Sequence, residues 1–542
     1  MRIKKPIWRS AAYCLAVFSL LNGILIASAS AATTTPKIDR GGTLTVAVVG
    51  ASYPGFDPQG PSNVASIPEY YAIYDPLFYP NDASGGAGVY PGLALSYKTS
   101  DGGRDLTFTL RQGVKFSDGT PWNSSAFVFN IRRSWDPTQN SECIADMAGF
   151  VGVKSLGPYT DEIMFDRPNP AYISLISGAQ CGLMVSPAAA TSEGSQFGLH
   201  PVGTGPFTLT SWTAPSGTAT LTANPAYYQK GFPLLHSLVF ESFGTTQSAD
   251  ACLEALQCQL EEVTTAAEQS AMYTNPDLKF IKIPDMNSPY PVWLQVGAAD
   301  HISSTPFSNS QARLAVAESI NQQEIISSLF TASNGASYGV PSDGPITPGS
   351  WAYTKNTGYP KYNPTAATAI VKSLGGLSFT LNCGNIAINI SECDELQSMF
   401  QAVGMTVQIA PYPGGTEVTL NHEHLFQATS LIANLPSPPI DPDIIIGRNF
   451  VSTSTLNQTG LDDPALDAAI QKTERVFSYS ARKASYVAFD KLYDKDLPWA
   501  MQFDETYWAV VTNTFHGAAV PWNKKGTFSQ EYYVPWYSYW IS

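Results

Sequence analysis

A serine in a glycine-framed turn is the first residue whose setting is typical of catalysis. The segment GASYG at 335–339 has the Gly-x-Ser-x-Gly spacing of a nucleophile elbow, with Ser337 as the nucleophile. That motif requires a strand before the serine and a helix after it, whereas here a predicted helix precedes and a loop rich in Pro and Gly follows. The pattern therefore favours a loop tip, and a secreted serine hydrolase that uses Ser337 is kept as an alternative.

Three other stretches bring together possible metal ligands or carboxylates. The run His-Glu-His at 422–424 lacks the i, i+4 spacing of a zincin helix, and the chain holds only six histidines. Asp504 and Glu505 are adjacent, which does not by itself create the cleft of a general acid and base, so we predict a solvated strand end. Asp441 and Asp443 stand in the proline-rich run LPSPPIDPD, which favours either a turn or one wall of a ligand cleft. With neither a P-loop nor a Cys-x-x-Cys pair, the sequence predicts no catalytic residue, no metal site and no cofactor.

The first 31 residues have the features of a secretory signal peptide. A basic start is followed by an apolar run over 15–26 and by small residues up to Ala31. Cys14 follows Tyr13 rather than a small residue, so no lipid-attachment box is present. We therefore expect an exported, periplasmic protein without a lipid anchor.

The composition indicates which partners are disfavoured and whether the cysteines form disulfides. The formal net charge is −14, which disfavours nucleic acid and anionic membranes as partners. Six cysteines remain outside the signal peptide, and an even number in an exported chain indicates disulfides. Several connectivities are possible, and the spacing favours Cys143 with Cys181, Cys252 with Cys258, and Cys383 with Cys393.

The hydrophobic patterning indicates an α/β protein of more than one compact unit. The clearest case is a helix that starts at Asn363 and Pro364, followed by a strand at 377–383, a helix near 391–403 and a strand at 405–411. Asn123 is placed to cap another helix. The other main elements are predicted as strands over 41–50, 106–116, 237–243, 279–285 and 292–298, and as helices over 124–134, 249–260 and 311–330.

Several segments together resemble one known family. These are LTFTLRQGVKFSDGTPW at 106–122, PVGTGPFTLTSW at 201–212, NPAYYQKGFPLLHSLVF at 224–240 and ARLAVAESINQQEI at 312–325. In this order they resemble the family 5 solute-binding proteins of ABC importers, the dipeptide, oligopeptide and nickel type. One departure is Asn321, which stands where an Asp is usual.

The resemblance implies a fold and a division into domains. The expected fold is a two-lobed α/β periplasmic-binding-protein fold of class II, with an extra side subdomain, in which the lobes close over a ligand. Lobe I is expected to take 32–75, 200–284 and 498–542, the side subdomain 76–199 and lobe II 290–495, with hinges near 284–291 and 496–503.

The resemblance also bears on the solute. In peptide-binding members, a loop of the type Ala-Asp-Tyr-x-Asp-Pro uses its first Asp to pair with the ammonium group of the peptide. Here Pro438 stands at that position, Asp441 and Asp443 align with the later acidic positions, and a tryptophan is lost near Leu431. The solute is therefore expected to be a peptide or a related molecule, with an oligosaccharide or a nickel or other metal chelate as alternatives.

The site residues are expected from their positions along the family fold. They follow the first strand, the first hinge, the long loop and the acidic loop: Tyr53, Asp57, Tyr290, Trp293, Gln295, Trp351, Asn434, Pro439 and Asp441. Replacing Asp441 by Asn is predicted to weaken solute binding without unfolding the protein. The expected partners are a membrane permease and its ATPase subunits, the protein itself is expected to be a monomer, and a role beside a chemoreceptor is left open.

Overall fold

A computed structural model describes most of the chain after the predicted signal peptide. It describes residues 37–49, 55–60, 67–80, 88–139, 141, 143–146, 149–177, 180–213, 217–263, 265–297, 305–430, 441–454, 456–519 and 534–542. The chain from Ile38 to Ser542 forms one compact unit. The signal peptide predicted over 1–31 lies outside the described residues. None of the helices in the described ranges combines the length and the apolar character that a membrane crossing requires.

Within the described ranges, nineteen strands form one large and three small sheets. The strands are β1 Thr43–Val49, β2 Phe78–Pro80, β3 Val89–Pro91, β4 Ala94–Ser100, β5 Asp105–Leu110, β6 Phe150–Gly157, β7 Thr160–Phe165, β8 Phe207–Trp212, β9 Ala219–Ala223, β10 Ser237–Phe243, β11 Leu260–Val263, β12 Leu278–Leu294, β13 Gly339–Val340, β14 Ser378–Gly384, β15 Thr406–Tyr412, β16 Ala428–Ser430, β17 Trp499–Thr512, β18 Phe515–Gly517 and β19 Tyr539–Ile541.

The helices alternate with these strands along most of the described chain. They are α1 Ile67–Ile73, α2 Ser124–Ser134, α3 Cys143–Asp146, α4 Tyr172–Ser177, α5 Pro187–Glu193, α6 Thr246–Glu254, α7 Ala266–Met272, α8 Ser310–Ser319, α9 Gln322–Leu329, α10 Pro364–Ser373, α11 Ala387–Ala402, α12 Gly414–His422, α13 Asp443–Phe450, α14 Pro464–Thr473 and α15 Tyr479–Asp496.

The large sheet is continuous through two long central strands. Its order is β15-β14-β16-β12-β17-β11-β1-β10-β9-β8, with β13 added on β17. The neighbours of β14 run parallel to it, and so do the neighbours of β1. Strand β12, with 17 residues, pairs antiparallel with the 14 residues of β17. This long pair therefore joins two groups of parallel strands.

Buried side chains form two hydrophobic clusters, and the long pair contributes to both. Ile283 of β12 and Val511 of β17 belong to the cluster that also contains Trp122. Val292 of β12 and Trp499 of β17 belong to the other cluster. The two strands thus pass from one core into the other.

A separate four-stranded sheet carries the segment that resembles the family signature most closely. Its order is β4-β5-β7-β6, and α2 packs against β6. The turn before α2 is closed by Asp118, whose Oδ1 accepts from Thr120 N at 2.9 Å. Asn123 caps α2 as predicted, because its side chain accepts from Ala126 N at 3.1 Å. These residues build scaffold, as their turn and capping chemistry indicates.

Three predicted elements differ from the structure for local reasons. The helix predicted over 311–330 is divided into α8 and α9, because Ile320 is extended and Asn321 starts a new helix by accepting from Glu324 N. The strands predicted over 279–285 and 292–298 are one strand, β12. The helix predicted over 249–260 ends at Glu254, and Leu256 then adopts a positive φ of 58°.

The three disulfides favoured by the cysteine spacing are confirmed. Their Cα–Cα distances are 5.5 Å, 5.3 Å and 6.6 Å for Cys143–Cys181, Cys252–Cys258 and Cys383–Cys393. The last of these ties the end of β14 to the second turn of α11.

Candidate functional site

Polar side chains meet where two parallel strands end beside the long central pair. Ligands of open α/β sheets bind at the carboxyl ends of the strands, which makes this edge the first place to look for a site. Ser430 ends β16, and Tyr290 and Gln502 lie on β12 and β17. Glu392 reaches the same place from α11. We call Tyr290, Glu392, Ser430 and Gln502 the central polar cluster.

Hydrogen bonds connect the members of the central polar cluster. The Ser430 hydroxyl donates to Glu392 Oε1, and Gln502 Nε2 donates to Ser430 Oγ at 2.9 Å. Tyr290 also interacts with the Glu392 carboxylate, and its ring stacks on Phe503 with the centroids 4.9 Å apart. Glu392 and Gln502 are fully buried. The cluster is therefore a buried, hydrogen-bonded arrangement of polar groups.

Burial dominates the electrostatics of Glu392. Desolvation raises the pKa of this carboxyl to about 7, the neighbouring Glu417 adds to the rise, and the hydrogen bonds from Ser430, Tyr290 and Gln502 oppose it. Burial likewise raises the pKa of Tyr290 well above its usual value, and the nearby carboxylates raise it further. A charge on Glu392 is thus costly unless a positively charged group comes close.

A second buried carboxylate lies next to the cluster. Glu417, on α12, accepts from Thr429 Oγ1 at 2.8 Å and is about 1% exposed. Burial raises the pKa of Glu417, and the Thr429 hydrogen bond opposes the rise. A Cβ at Gly384 would lie 3.5 Å from Glu417 Oε2 and 2.4 Å from Asn389 Nδ2. Glycine at the end of β14 therefore leaves the room that these two side chains occupy.

A third carboxylate lies on β17. The Tyr507 hydroxyl donates to Glu505 Oε2 at 2.9 Å and lies 3.2 Å from Ser288 Oγ. Burial raises the pKa of Glu505 to about 7, with Glu262 and Glu392 adding to the rise. The prediction of a solvated strand end is wrong, because β17 continues to Thr512 and encloses this segment in the sheet.

The acidic loop leads into a different arrangement, which we call the arginine cluster: Asp441, Asp443, Arg482, Tyr486 and Trp351. Arg482 Nη1 donates to Asp441 Oδ2, and Nη2 donates to Asp441 Oδ1 at 2.7 Å and to Asp443 Oδ2 at 2.8 Å. The Tyr486 hydroxyl lies 2.9 Å from Asp441 Oδ1 and 2.8 Å from Asp443 Oδ1. Trp351 covers the guanidinium at 5.4 Å. Both ion pairs have side chains that are no more than 4% exposed.

The ligand contact predicted for Asp441 stays a prediction, and the structure shows which groups its carboxylate already contacts. The sequence placed its carboxylate in the ligand cleft, whereas both oxygens are occupied by Arg482 and one of them also by Tyr486. Asp441 Oδ1 also accepts from Asp443 N at 3.2 Å. A ligand would have to displace the arginine to reach it, so this side chain anchors the end of the acidic loop.

The other predicted residues are spread over different surroundings. Trp293 packs against Trp499 with centroids 4.9 Å apart, and Gln295 donates to Gly297 O at 3.1 Å in the interior. Asp57 accepts from Arg133 Nη1 at 2.9 Å, which ties the loop after β1 to α2. Of the predicted residues that the structure describes, only Tyr290 lies in the central polar cluster. Three predicted residues lie outside the described ranges: Tyr53, Asn434 and Pro439.

The alternative chemistry at Ser337 and at the histidine run has no support. The Ser337 hydroxyl donates to Gly339 O at 2.5 Å, and strand β13 follows instead of the helix of a nucleophile elbow. Helix α12 ends at His422, whose Nδ1 lies 3.3 Å from Gln458 Nε2. Among the described residues, the one group close enough for a shared metal is Glu241 with Cys252 and Cys258, whose sulfurs are in a disulfide.

Sequence reasoning missed Glu392, although a signal was present. Glu392, Leu396 and Phe400 follow one another at a spacing of four on α11, and all three are buried. A glutamate in the apolar stripe of a helix is unusual, because burying a carboxylate is costly. Glu417, Ser430 and Gln502 carry no comparable signal, since their burial depends on contacts between distant segments.

The comparisons with known proteins agree with this architecture. Residues 88–447 match the family described as "Bacterial extracellular solute-binding proteins, family 5 Middle". The glutathione-binding protein GsiB of Escherichia coli (strain K12) is 26% identical over 374 residues, which cover 68% of this chain and 70% of GsiB.

Two solved structures show the same fold at low sequence identity. The ABC transporter substrate-binding protein CtaP of Listeria monocytogenes superimposes with a TM-score of 0.78 at 18% identity, covering 93% of this chain and 100% of CtaP. The periplasmic binding protein DppA of Helicobacter pylori, in complex with the peptide STSA, has a TM-score of 0.75 at 19% identity and covers 92% and 98%. The expected two-lobed α/β fold is thereby confirmed.

Proposed function

We propose, from the fact that this chain belongs to the bacterial extracellular solute-binding proteins of family 5, that it delivers peptides or a closely related solute to an ABC importer. Proteins of this family bind solutes and are not enzymes, and the chain is accordingly a binding component rather than a catalyst. We also propose the class of solute, the segments that move on closure and the residues that contact the solute.

The observation that carries the proposal is the long antiparallel pair of β12 and β17. These strands contribute side chains to both hydrophobic cores and connect the two groups of parallel strands. We place lobe I at 32–75, 200–284 and 498–542 and lobe II at 290–495, and we place the side subdomain at 76–199. A small change of backbone angles within 284–291 and 496–503 then opens and closes the lobes.

Closure would bring a solute against the central polar cluster. Tyr290 and Gln502 lie within the two proposed hinge segments, so a contact with either residue changes as the lobes move. Water is expelled on closure, which strengthens the polar contacts and buries the apolar parts of the solute. The membrane permease then recognises the closed form, because the solute shifts the open–closed equilibrium.

A peptide is the solute class that the relatives support best. GsiB is named for glutathione, and the DppA structure contains a peptide. The chain is acidic and keeps a proline-rich loop before Asp441, although that carboxylate is held by Arg482. We propose that the protein works as a monomer outside the cytoplasmic membrane and that separate ATPase subunits hydrolyse the ATP.

A melting-temperature screen with three solute classes tests the proposal. Purified protein without its first 31 residues is heated with glutathione and tripeptides, with oligosaccharides, or with nickel chelates. A ligand that binds only the folded state at 100 times its Kd stabilises it by about 2.7 kcal/mol, which is a measurable shift. We expect peptides to give the largest shift and small-angle scattering to show a smaller radius of gyration in their presence.

Each other result has a clear meaning. A shift with oligosaccharides or nickel chelates, and none with peptides, moves the assignment to that class within the same family. A scattering profile that every bound solute leaves unchanged would remove the hinge mechanism. Chemical conversion of the solute, detected by mass spectrometry after incubation, would contradict a binding role.

A further inference from the structure

We propose that Glu392 and Glu417 recognise a cationic nitrogen group of the solute, an ammonium or a guanidinium, beside the central polar cluster. This inference rests on the proposed function, since it assumes that a solute is bound between the lobes. It names the chemistry that the solute must present, and it assigns that chemistry to two residues of α11 and α12.

The hydrogen bonds around the cluster leave more acceptors than donors. Glu392 Oε2 and Gln502 Oε1 have no donor with good hydrogen-bond geometry among the described residues, although Tyr290 and Gln502 lie close enough to lower the pKa of Glu392, and the side chains of Glu392 and Gln502 are fully buried. Asn421, one turn after Glu417 on α12, is also buried, and neither its Oδ1 nor its Nδ2 has a partner there. Buried acceptors without donors are costly and rare, so a missing donor is indicated.

The chemistry of the missing group follows from the groups that are present. An ammonium offers three donors and no acceptor, and a guanidinium offers five donors and no acceptor. A neutral hydroxyl or amide would add acceptors to a place that already has too many. A carboxylate or phosphate would add like charge beside Glu392 and Glu417.

The local electrostatic environment favours the same kind of group. The charged neighbours that act most strongly on Tyr290 are three carboxylates, Glu392, Glu505 and Glu417. Glu417 in turn acts on Glu392. The net charge of −14 adds a long-range field that attracts cations. A cation that enters would meet Glu392 Oε2, for which the described residues supply no donor with good geometry.

A metal ion fits the cluster less well than an organic cation. The ligand atoms of one metal ion must lie within a few ångströms of one another, and among the described residues no three carboxylates meet this condition at the cluster. The Glu392 and Glu417 oxygens are instead tied to different strand-end hydroxyls, Ser430 and Thr429. An ammonium or a guanidinium points its N–H donors in several directions, so it can donate to more than one acceptor at once.

Binding at this place is coupled to lobe closure. Tyr290 and Gln502 belong to the proposed hinge segments, whereas Glu392 and Glu417 belong to helices of the proposed lobe II. A cation held by the two glutamates therefore stabilises the one arrangement of the hinge segments in which Tyr290 and Gln502 also contact it.

The test compares three peptides that differ in charge. The probes are Ala-Lys-Ala, its acetylated and amidated form, and the same blocked form with norleucine in place of lysine, each titrated by calorimetry. The variants are Glu392→Gln and Glu417→Gln, which keep the shape and remove the charge. The matched controls are Asp394→Asn on α11 and Glu423→Gln after α12, which remove exposed charges close by in the chain.

We expect the blocked lysine peptide to bind the unaltered protein at least tenfold more tightly than the norleucine peptide. Each cluster variant is expected to lose this preference, while the controls keep it. If only the unblocked peptide shows the preference, the cation is the terminal ammonium, and the proposal stands with that source.

The inference is overturned if the lysine and norleucine peptides bind equally, or if the preference survives in a double variant with Glu392→Gln and Glu417→Gln. Either result leaves the proposed function intact. Tight binding of a neutral oligosaccharide with no binding of any cationic probe also overturns the inference and leaves the proposed function intact. The absence of a melting shift with every solute class contradicts the proposed function itself. Melting of the ligand-free variants provides the folding check, since a buried Gln in place of a buried Glu is expected to keep or raise stability.

Discussion

The arginine cluster buries two carboxylates, and so do the central polar cluster and the neighbouring Glu417 together, yet only the arginine cluster contains its own cation. Asp441 and Asp443 share Arg482, with Tyr486 completing the arrangement. Glu392 and Glu417 receive only hydroxyl and amide donors among the described residues. The same chemical group therefore has two different roles within one protein.

The difference teaches how to separate a structural carboxylate from one available to a ligand. A buried ion pair with additional hydrogen bonds is closed, because breaking it leaves an uncompensated charge. A buried, charged carboxylate without a cation has an unfavourable desolvation free energy, which a bound cation offsets. The sequence suggested that the acidic loop contacts the ligand. In the structure, Glu392 on α11 and Glu417 on α12 are instead buried carboxylates without a cation among the described residues.

The largest expected effect comes from removing the cation of the arginine cluster. Arg482→Met leaves Asp441 and Asp443 buried without a counter-charge, and we expect about 3–5 kcal/mol of lost stability in urea unfolding. Lys491→Met, on the exposed face of the same helix, is the control and should change stability by less than about 0.5 kcal/mol. Adding Asp441→Asn and Asp443→Asn to Arg482→Met should restore part of the loss. A loss below about 1 kcal/mol in Arg482→Met would mean that the cluster is not closed as described.

Next in size is the disulfide that holds α11 beside β14. Replacing Cys383 and Cys393 by Ser removes a cross-link next to Glu392, and we expect about 2–3 kcal/mol of lost stability. Solute affinity should also fall, because the helix that carries Glu392 is less well fixed. The paired control, Cys252→Ser with Cys258→Ser, should lower stability without a change of affinity. Equal affinity losses in both pairs would show that the effect is not local to α11.

A smaller effect concerns the pH dependence of Glu392. Its pKa is raised from 4.5 to about 7 by burial, so its contribution to stability is fully present below about pH 4.5 and is lost as the pH rises through about 7. Glu392→Gln lacks this loss, and its stability relative to the unaltered protein should therefore grow between pH 5 and pH 8 by about 1–3 kcal/mol. Asp394→Asn should show no such trend. A constant difference across the range would mean that Glu392 is already charged at pH 5.

Binding should follow the opposite trend in the unaltered protein. A cationic solute requires the charged carboxylate, so its affinity should rise with pH over the same range, and calorimetry in two buffers should detect protons released on binding. Affinity that falls as the pH rises would contradict contact between the cation and Glu392.

The smallest expected effect is at Thr429. Thr429→Val keeps the shape of the side chain and removes the donor that lies 2.8 Å from Glu417 Oε1, and we expect about 1 kcal/mol of lost stability. Thr406→Val, at an exposed position of β15, is the control and should have little effect on urea unfolding. A neutral result at Thr429 would indicate that Glu417 is stabilised mainly by other groups.

Much of the fold followed from local chemistry in the sequence. Asn123 before α2 and Asn363 before α10 cap their helices as predicted, because a side-chain oxygen at that position satisfies an unpaired backbone N–H. The cysteine pairs were close enough in the chain for their loops to be recognised. The break between α8 and α9 was missed, since an apolar residue such as Ile320 fits the helical pattern even where the backbone is extended.

Fewer features of the candidate site could be predicted from the local sequence. Tyr290 was predicted as a site residue after the first hinge, and it lies within β12 in the central polar cluster, while its contact with a solute stays a prediction. Trp293 and Gln295, three and five positions further on, fall in the interior because a strand alternates its faces and then ends. Asp441 was chosen for its charge, and only the position of Arg482, 41 residues away, reveals that this charge is already paired.

The sequence by itself determined the family, the α/β class and the acidic character of this protein, because turns, caps, periodicity and composition act between neighbours in the chain. It favoured the three cysteine pairs, and the structure established them. The tertiary structure alone decided which carboxylates are paired and which are open. That outcome depends on desolvation and on the distance to a cation, and both are set by segments that meet only when the large sheet assembles.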